Sequence, residues 1–211
     1  HQAQFNPVAW TRGVASAVGE MGGLVFEESR VVGVNGLRGP RSIQLENGTS
    51  IEAGRIVLAT HMPILDRAAY FARLRPMSSF AVAGPLNGPL PRGMYLSVDG
   101  PTRSISPVPG QDGTERLLVG GEGFRPGTRD SGESLTRLSE YFGRRFDVES
   151  VDREWGAHDL MSFDRLPLIG QLLPFDDRIL VTTGFSKWGL AAGAGASEVI
   201  MDQLNDDVTK R

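Results

Sequence analysis

Cysteine is missing altogether from this chain of 211 residues. Its absence excludes a disulfide, a thiolate-held metal and a cysteine nucleophile. Histidine is nearly as scarce: His1, His61 and His158 are the only three, far apart in sequence, so a histidine-built metal centre is not expected. Lysine occurs only at Lys187 and Lys210, the remaining basic charge being arginine. No apolar run approaches the roughly 18 to 20 residues of a membrane helix, and the polar start has no leader pattern. A cytoplasmic protein without a membrane partner is therefore expected. The formal net charge of −3 argues against a nucleic-acid footprint. Two phosphate-gripping signatures are also missing, G-x-G-x-x-G between a strand and a helix, and G-x-x-x-x-G-K-[ST].

What is present reads as a mixed chain. Asn6-Pro7 is an N-cap followed by a proline in the first turn, and Trp10, Val14 and Val18 recur at helical spacing before Gly22-Gly23. LVFEESRVVGV predicts a strand, and SIQLENGTSIE predicts a hairpin around Asn47-Gly48. GRIVLAT, residues 54 to 60, is a continuous apolar run suited to a strand buried on both faces. From about Ala81 the texture changes to short strands and Gly/Pro turns (FAVAGPL, GMYLSVDG, RSISPVPG, ERLLVGGEG), which predict an antiparallel meander in a separate layer. Asp130 and Glu133 predict the start of a helix with Leu135, Leu138 and Phe142 inward. VDREWGAHDL and RILVTTGF predict further strands, and a last helix runs from about Gly189 to Leu204. A strand-rich middle between α/β pieces suggests one domain interrupted by another.

Four stretches carry candidate chemistry. In TGFSKWGLAAGAG, residues 183 to 195, Lys187 and Trp188 stand between Gly184 and Gly189, followed by almost no side-chain bulk. A helix starting near Gly189 offers unpaired N–H groups and a positive dipole end, suited to partial negative charge on a bound group. The same residues also suit a plain tight turn whose small helix packs on a sheet. WGAHDLMSFDRLPLIG interleaves Trp155, His158, Asp159 and Asp164 with apolar residues. It reads either as a strand edge presenting His158 and Asp159 to a pocket, or as a strand leaving its sheet with Asp164 capping a turn. A buried Asp159 would need a cation, and a bound ammonium would serve. Thr60 and His61 end an apolar strand, where ligands or solvent meet α/β sheets. Arg103 and Ser104 follow a turn, where an arginine is commonly a surface residue.

Together, QAQFNPVAWTRGVA, GRIVLATHMPI, YLSVDGPTRSIS, LLVGGEG, WGAHDLMSFDRLPLIG and TGFSKWGLAAGAGA form ordered blocks across nearly the whole chain. They resemble the FAD-dependent glycine/D-amino-acid oxidase family, in the branch often fused to a Rieske domain. The resemblance implies an α/β (α+β) fold. An incomplete FAD-binding α/β lobe, residues 1–75 and 175–211, would be interrupted by a substrate lobe, 76–174, with a mostly antiparallel mixed sheet and flanking helices. It also implies that Gly184, Phe185, Ser186, Lys187, Trp188 and Gly189 lie against the isoalloxazine, with Ala59 and Thr60 lining the cofactor. Lys187 and the helix N-terminus would then favour the anionic reduced flavin. His158 and Asp159 would orient substrate, with Arg103 a further candidate.

Two departures qualify what the family implies. The dinucleotide-binding motif and its ribose-holding acid are missing, so the chain looks like the C-terminal portion of a longer protein. FAD is expected in the full-length protein and weakly or not at all here, and the portion alone is expected to be inactive. A Rieske cluster needs two cysteines and two histidines, which a chain without cysteine cannot supply. Asp159 stands where relatives that oxidise amino acids often carry an arginine, which points to an amine, even a di- or polyamine, over a free amino acid. The reaction implied is oxidation of a C–N bond by hydride transfer to flavin N5. A non-enzymatic binding or interaction module that kept the fold and lost the cofactor explains the missing motif equally well, and a nicotinamide-linked dehydrogenase fits less. A truncated lobe would also expose apolar surface through which copies could pair.

Overall fold

The computed structural model describes residues 5–36, 40–110 and 113–209, with the side chains of 206–209 left aside. His1, Lys210 and residues 2–4 of the first block lie outside the described residues. Two compact units emerge: His1–Arg73 with Leu166–Arg211, and Leu74–Arg165. A chain interrupted by an insertion is thus what forms.

The first unit opens with α1 (Pro7–Glu20), capped by the Asn6 side chain, which accepts from the N–H groups of Val8 and Ala9 at 3.0 Å. It closes at Gly22 and Gly23, whose N–H groups bond back to the carbonyls of Gly19 and Val18 at 2.9 and 2.8 Å. The expected apolar spacing is there, yet no residue of α1 is buried, and Trp10 is 56% exposed. β1 (Val31–Asn35), β2 (Arg41–Leu45) and β3 (Ser50–Ala53) form a meander around the Asn47-Gly48 turn. The strand expected from Leu24 begins only at Val31, just after the Arg30 carbonyl accepts from the Glu46 N–H at 2.9 Å.

β4 (Ile56–Leu58) is a parallel neighbour of β11 (Asp176–Thr183), which pairs antiparallel with β10 (Leu168–Leu173). Ile56 and Leu58 are buried, but Val57 between them is 41% exposed, so β4 is covered on one face rather than two. α4 (Gly189–Thr209) packs on β10, with Gln203 against Gly170, and its Leu204 carbonyl accepts from Arg55 at 2.7 Å. Ile179, Leu180 and Val181 with Leu172, Ala196 and Ile200 are among the buried apolar residues of this unit. Buried Arg41 ties β2 to the start of β11, donating to Asp176 at 2.7 Å and to the Gly36 carbonyl at 2.6 Å. The sequence boundary at 174 thus moves to Leu166, because β10 pairs with β11.

After the short α2 (Tyr70–Arg73), the second unit is a five-stranded antiparallel sheet. Its strands are β5 (Leu74–Gly84), β6 (Tyr95–Leu96), β7 (Ser104–Pro109), β8 (Glu115–Phe124) and β9 (Arg153–Ser162), in the order β6-β7-β8-β5-β9. α3 (Ser131–Arg145) lies on one face, its N-cap Asp130 accepting from the Glu133 N–H at 3.0 Å. Leu138 and Phe142 reach into Phe80, Val82, Leu117, Val119 and Phe124, forming the core of this unit. The helix stands as the sequence predicts and β6, β7 and β8 form an antiparallel meander, but β5 starts earlier, at Leu74, and joins the sheet between β8 and β9 instead of beside β6.

Candidate functional site

In the first unit, β4 and β11 run parallel with Leu58 opposite Val181, so the segments after both strands leave from the same end. The buried Thr183 hydroxyl donates to the carbonyl of His61, a residue at φ +62°, and stitches the two segments together. Thr60 Oγ1 donates to the Met62 carbonyl at 2.9 Å, shaping the loop that follows Ala59. Beyond Thr183 the backbone turns through Gly184 at φ +74°, where glycine removes the penalty of the left-handed region. Ser186 adopts φ +53° without that freedom, which costs about 1 kcal/mol or more and marks a position held by its surroundings. The Trp188 N–H closes the turn on the Phe185 carbonyl at 2.9 Å, and α4 begins at Gly189.

This turn has three chemical properties. The first turn of α4 carries no acidic side chain to satisfy its positive end. Ser186 Oγ in the turn, like Thr182 Oγ1 near the end of β11, is buried without a hydrogen-bond partner. Trp188 is 71% exposed, a large flat side chain beside a helix whose Gly193 and Gly195 have open space around them. Ala59, Thr60 and residues 184–189 are thus brought to one end of one sheet, although the sequence separates them by more than half the chain.

In the second unit, residues directly opposite on antiparallel strands point to the same face. Phe80 and Val82 face α3, so Ser78 with its partner His158 does too. Met77 with Asp159, Ser79 with Ala157 and Ala81 with Trp155 point to the face away from α3. Neighbours on one strand, His158 and Asp159 are therefore not brought together.

Arg103 also lies on the α3 side, 5.2 Å from the Tyr141 ring centroid and ion-paired with Glu122. Glu122 sits at φ +53° in a bulge of β8 and also accepts from Arg137 at 3.0 Å. Burial pushes the Glu122 carboxyl up, but the hydrogen bonds and charges of Arg137 and Arg103 together outweigh it and hold the group below its usual range. Arg103 is thereby a brace between sheet and helix.

Ser104, Gly120, Ala81 and Trp155 follow one another across β7, β8, β5 and β9, and a Cβ on Gly120 would strike the Ser104 hydroxyl at 2.5 Å. On the face away from α3, Asp159 accepts from Ser79 Oγ at 2.9 Å, which orients its carboxylate. Arg75, opposite Met161, lies one pleat along from the Met77–Asp159 pair on the same face. Sequence reasoning missed Ser79 and Arg75. The period-2 pattern of β5 holds the signal, because Phe80 and Val82 are core and the residues between them point away.

Among solved structures, glycine oxidase from Geobacillus kaustophilus aligns at a TM-score of 0.72 with 18% identity, over 92% of this chain and 53% of that one. Iminodiacetate oxidase from Chelativorans aligns at 0.66 with 15% identity, over 92% and 55%. Fructosyl amine:oxygen oxidoreductase (Amadoriase I) from Aspergillus fumigatus aligns at 0.62 with 19% identity, over 84% and 45%. At these identities the likeness is one of fold. A Bacillus subtilis protein named as a Rieske 2Fe-2S iron-sulfur protein, YhfW, is 28% identical over 96% of this chain. This chain spans 40% of that relative's length and about half of the solved oxidases. Residues 1–203 match the FAD dependent oxidoreductase (DAO) description, and the chain belongs to that family.

Proposed function

We propose that this chain is the C-terminal portion of a flavoenzyme that oxidises a C–N bond of an amine. The observation that carries the flavin half of this reading is the turn at 184–189. It combines a left-handed serine whose buried hydroxyl has no partner with a helix start free of acidic side chains, and it follows closely on Thr182 of β11, a second buried hydroxyl without a partner. These features fit the polar edge of an isoalloxazine. Ser186 and Thr182 would donate to or accept from it, Gly189 and the following N–H groups would meet its negative edge, and Trp188 would cover its ring. When bound, the flavin supplies the hydride acceptor.

The chain's own residues do the rest. Lys187 and the N-terminus of α4 stabilise negative charge at that edge. Asp159, oriented by Ser79, holds a cationic group of the substrate on the face away from α3, and Trp155 supplies an aromatic wall to an ammonium. This favours an amine, including a di- or polyamine. Arg75 on the same face supports a second reading, in which the substrate is zwitterionic and its carboxylate meets that arginine.

Flavin titration of the chain, read through quenching of Trp188 fluorescence in a variant lacking Trp10 and Trp155, tests the cofactor reading. Weak saturable quenching, lost in Lys187→Glu, is expected. No quenching, together with a colourless full-length parent, would overturn it. A substrate panel on that parent separates the two readings. Amines leading the panel, with Asp159→Asn raising KM, support the first, and a simple amino acid leading would replace it by the second.

A further inference from the structure

The parallel pairing of β4 with β11 runs as far as Leu58 and Val181. Beyond it a side chain carries the link on, the Thr183 hydroxyl donating to the His61 carbonyl. Thr183 is 1% exposed in this chain by itself, so further polypeptide has nothing there left to cover. A hydroxyl in such a place costs stability unless it is bonded, and a β-branched side chain has little freedom to turn elsewhere. The bond is therefore a fixed part of this unit.

Two strained positions flank it. His61, at φ +62°, is itself the acceptor, and Ser186, at φ +53°, lies three residues beyond the donor. Neither has the freedom of glycine, and such backbone persists only where its surroundings over-determine it. At His61 the group that holds it is Thr183. On the far side of Thr183 the chain turns at Gly184, the Trp188 N–H closes on the Phe185 carbonyl at 2.9 Å, and the Ala192 N–H on the Trp188 carbonyl at 2.8 Å. On the near side Thr60 donates to the Met62 carbonyl at 2.9 Å, spanning His61. One side chain thus stands at the root of both segments.

We propose that Thr183 is a positioning residue for the flavin site. Its hydroxyl latches the loop 59–62 to the turn 184–189, and so holds Thr60, Ser186 and the start of α4 in the arrangement that receives the cofactor. The proposal rests on the flavin reading of that turn and adds to it what keeps the turn in place. Thr183 acts through His61 on one side and through the turn on the other, rather than on the flavin itself. A site ordered in advance spares its ligand the cost of ordering it, so loss of the latch is felt as weaker binding.

Amide hydrogen exchange of the flavin-free chain tests the latch. Thr183→Val removes the hydroxyl, keeps the branched shape and leaves the His61 carbonyl without its donor. The Trp188 and Ala192 amides should then exchange about tenfold faster, while Leu180 in the middle of β11 stays protected. T183S keeps a hydroxyl and should restore slow exchange. Glycine adopts φ +62° without strain, so in an H61G background the acceleration caused by T183V should shrink to about threefold or less. Flavin titration, read through Trp188 in W10F/W155F, should show a Kd about tenfold higher for T183V and little changed for T183S. Unchanged Trp188 exchange in T183V, or T183S as fast as T183V, would overturn the latch whether or not flavin binds. So would faster exchange that includes Leu180, which would mean a general loosening of the sheet. The expected exchange pattern in a chain that flavin never quenches would uphold the latch and remove the cofactor reading instead.

Discussion

Glu122→Ala should be the most informative single substitution in the second unit. Its carboxylate is the counter-charge of Arg103, which is only 5% exposed and whose Nε already has no partner. Removing one member of a buried pair leaves the other charge uncompensated and costs about 3–5 kcal/mol. The Tyr141 ring, 5.2 Å from the guanidinium, offsets at most about 1 kcal/mol of that. The second partner, Arg137, has a side chain 42% exposed, so losing that contact adds about 1 kcal/mol at most. A net loss of about 3 kcal/mol is expected. The assay is urea unfolding followed by tryptophan fluorescence in a W10F/W188F background, where Trp155 alone reports and belongs to this unit. The double variant R103M/E122A removes both charges and should be more stable than E122A alone. A loss under about 1 kcal/mol in E122A, or a double variant worse than the single, would refute the bracing role. Arg103 would then stand again as a candidate for touching a ligand.

Acid should act through the same carboxyl. It is held below its ordinary value of 4.5, so its contribution is full above that pH and is lost as the pH falls through the folded-state value. Glu122→Gln should flatten the acid limb of a stability–pH profile, and an unchanged limb would contradict this. Gly84→Ala would place a Cβ 1.9 Å from the Ser150 carbonyl oxygen, so the backbone must shift. A loss of about 3 kcal/mol in chemical denaturation is expected, and a neutral result would mean that the segment at 150 gives way freely. Arg41→Met orphans Asp176 in the first unit and should cost about 3 kcal/mol, against which R41M/D176L should recover stability. Ser186→Gly should raise the melting temperature by relieving a left-handed serine worth about 1 kcal/mol, and a fall would mean that its hydroxyl is held by a partner.

Local rules made much of the fold legible. Asn6, the Asn47-Gly48 turn and Asp130 act through neighbours a few residues away, and each forms as its sequence predicts. The interrupted architecture was visible in the change of texture near Ala81. What stayed hidden depends on pairing. β10 could not be separated from the turn before it until β11 was known to lie beside it. Val57 looks like core by composition, and only the covering of β4 on one face decides otherwise. The candidate site divides in the same way. The turn at 184–189 is contiguous and carries its own signal, whereas the separation of His158 from Asp159 follows from the pleat and from which face α3 covers. Arg103 could not be assigned to the brace without Glu122, whose place depends on a bulge that no composition announces.

The register of β5 with β9 has a consequence for modularity. Leu74, the first residue of the second unit, lies directly opposite Ser162, three residues before its last. The polypeptide therefore crosses into that unit and back out through neighbouring points, one strand spacing or about 5 Å apart. Such a narrow neck lets the whole Leu74–Arg165 segment be excised as a free-standing domain, and lets Arg73 be rejoined to Leu166 by a linker of a few residues. It also means that the inserted segment can lengthen, shorten or be exchanged for another without altering the distance its host must span. The five-stranded sheet can then diversify while the turn that ends in Gly189 stays as it is.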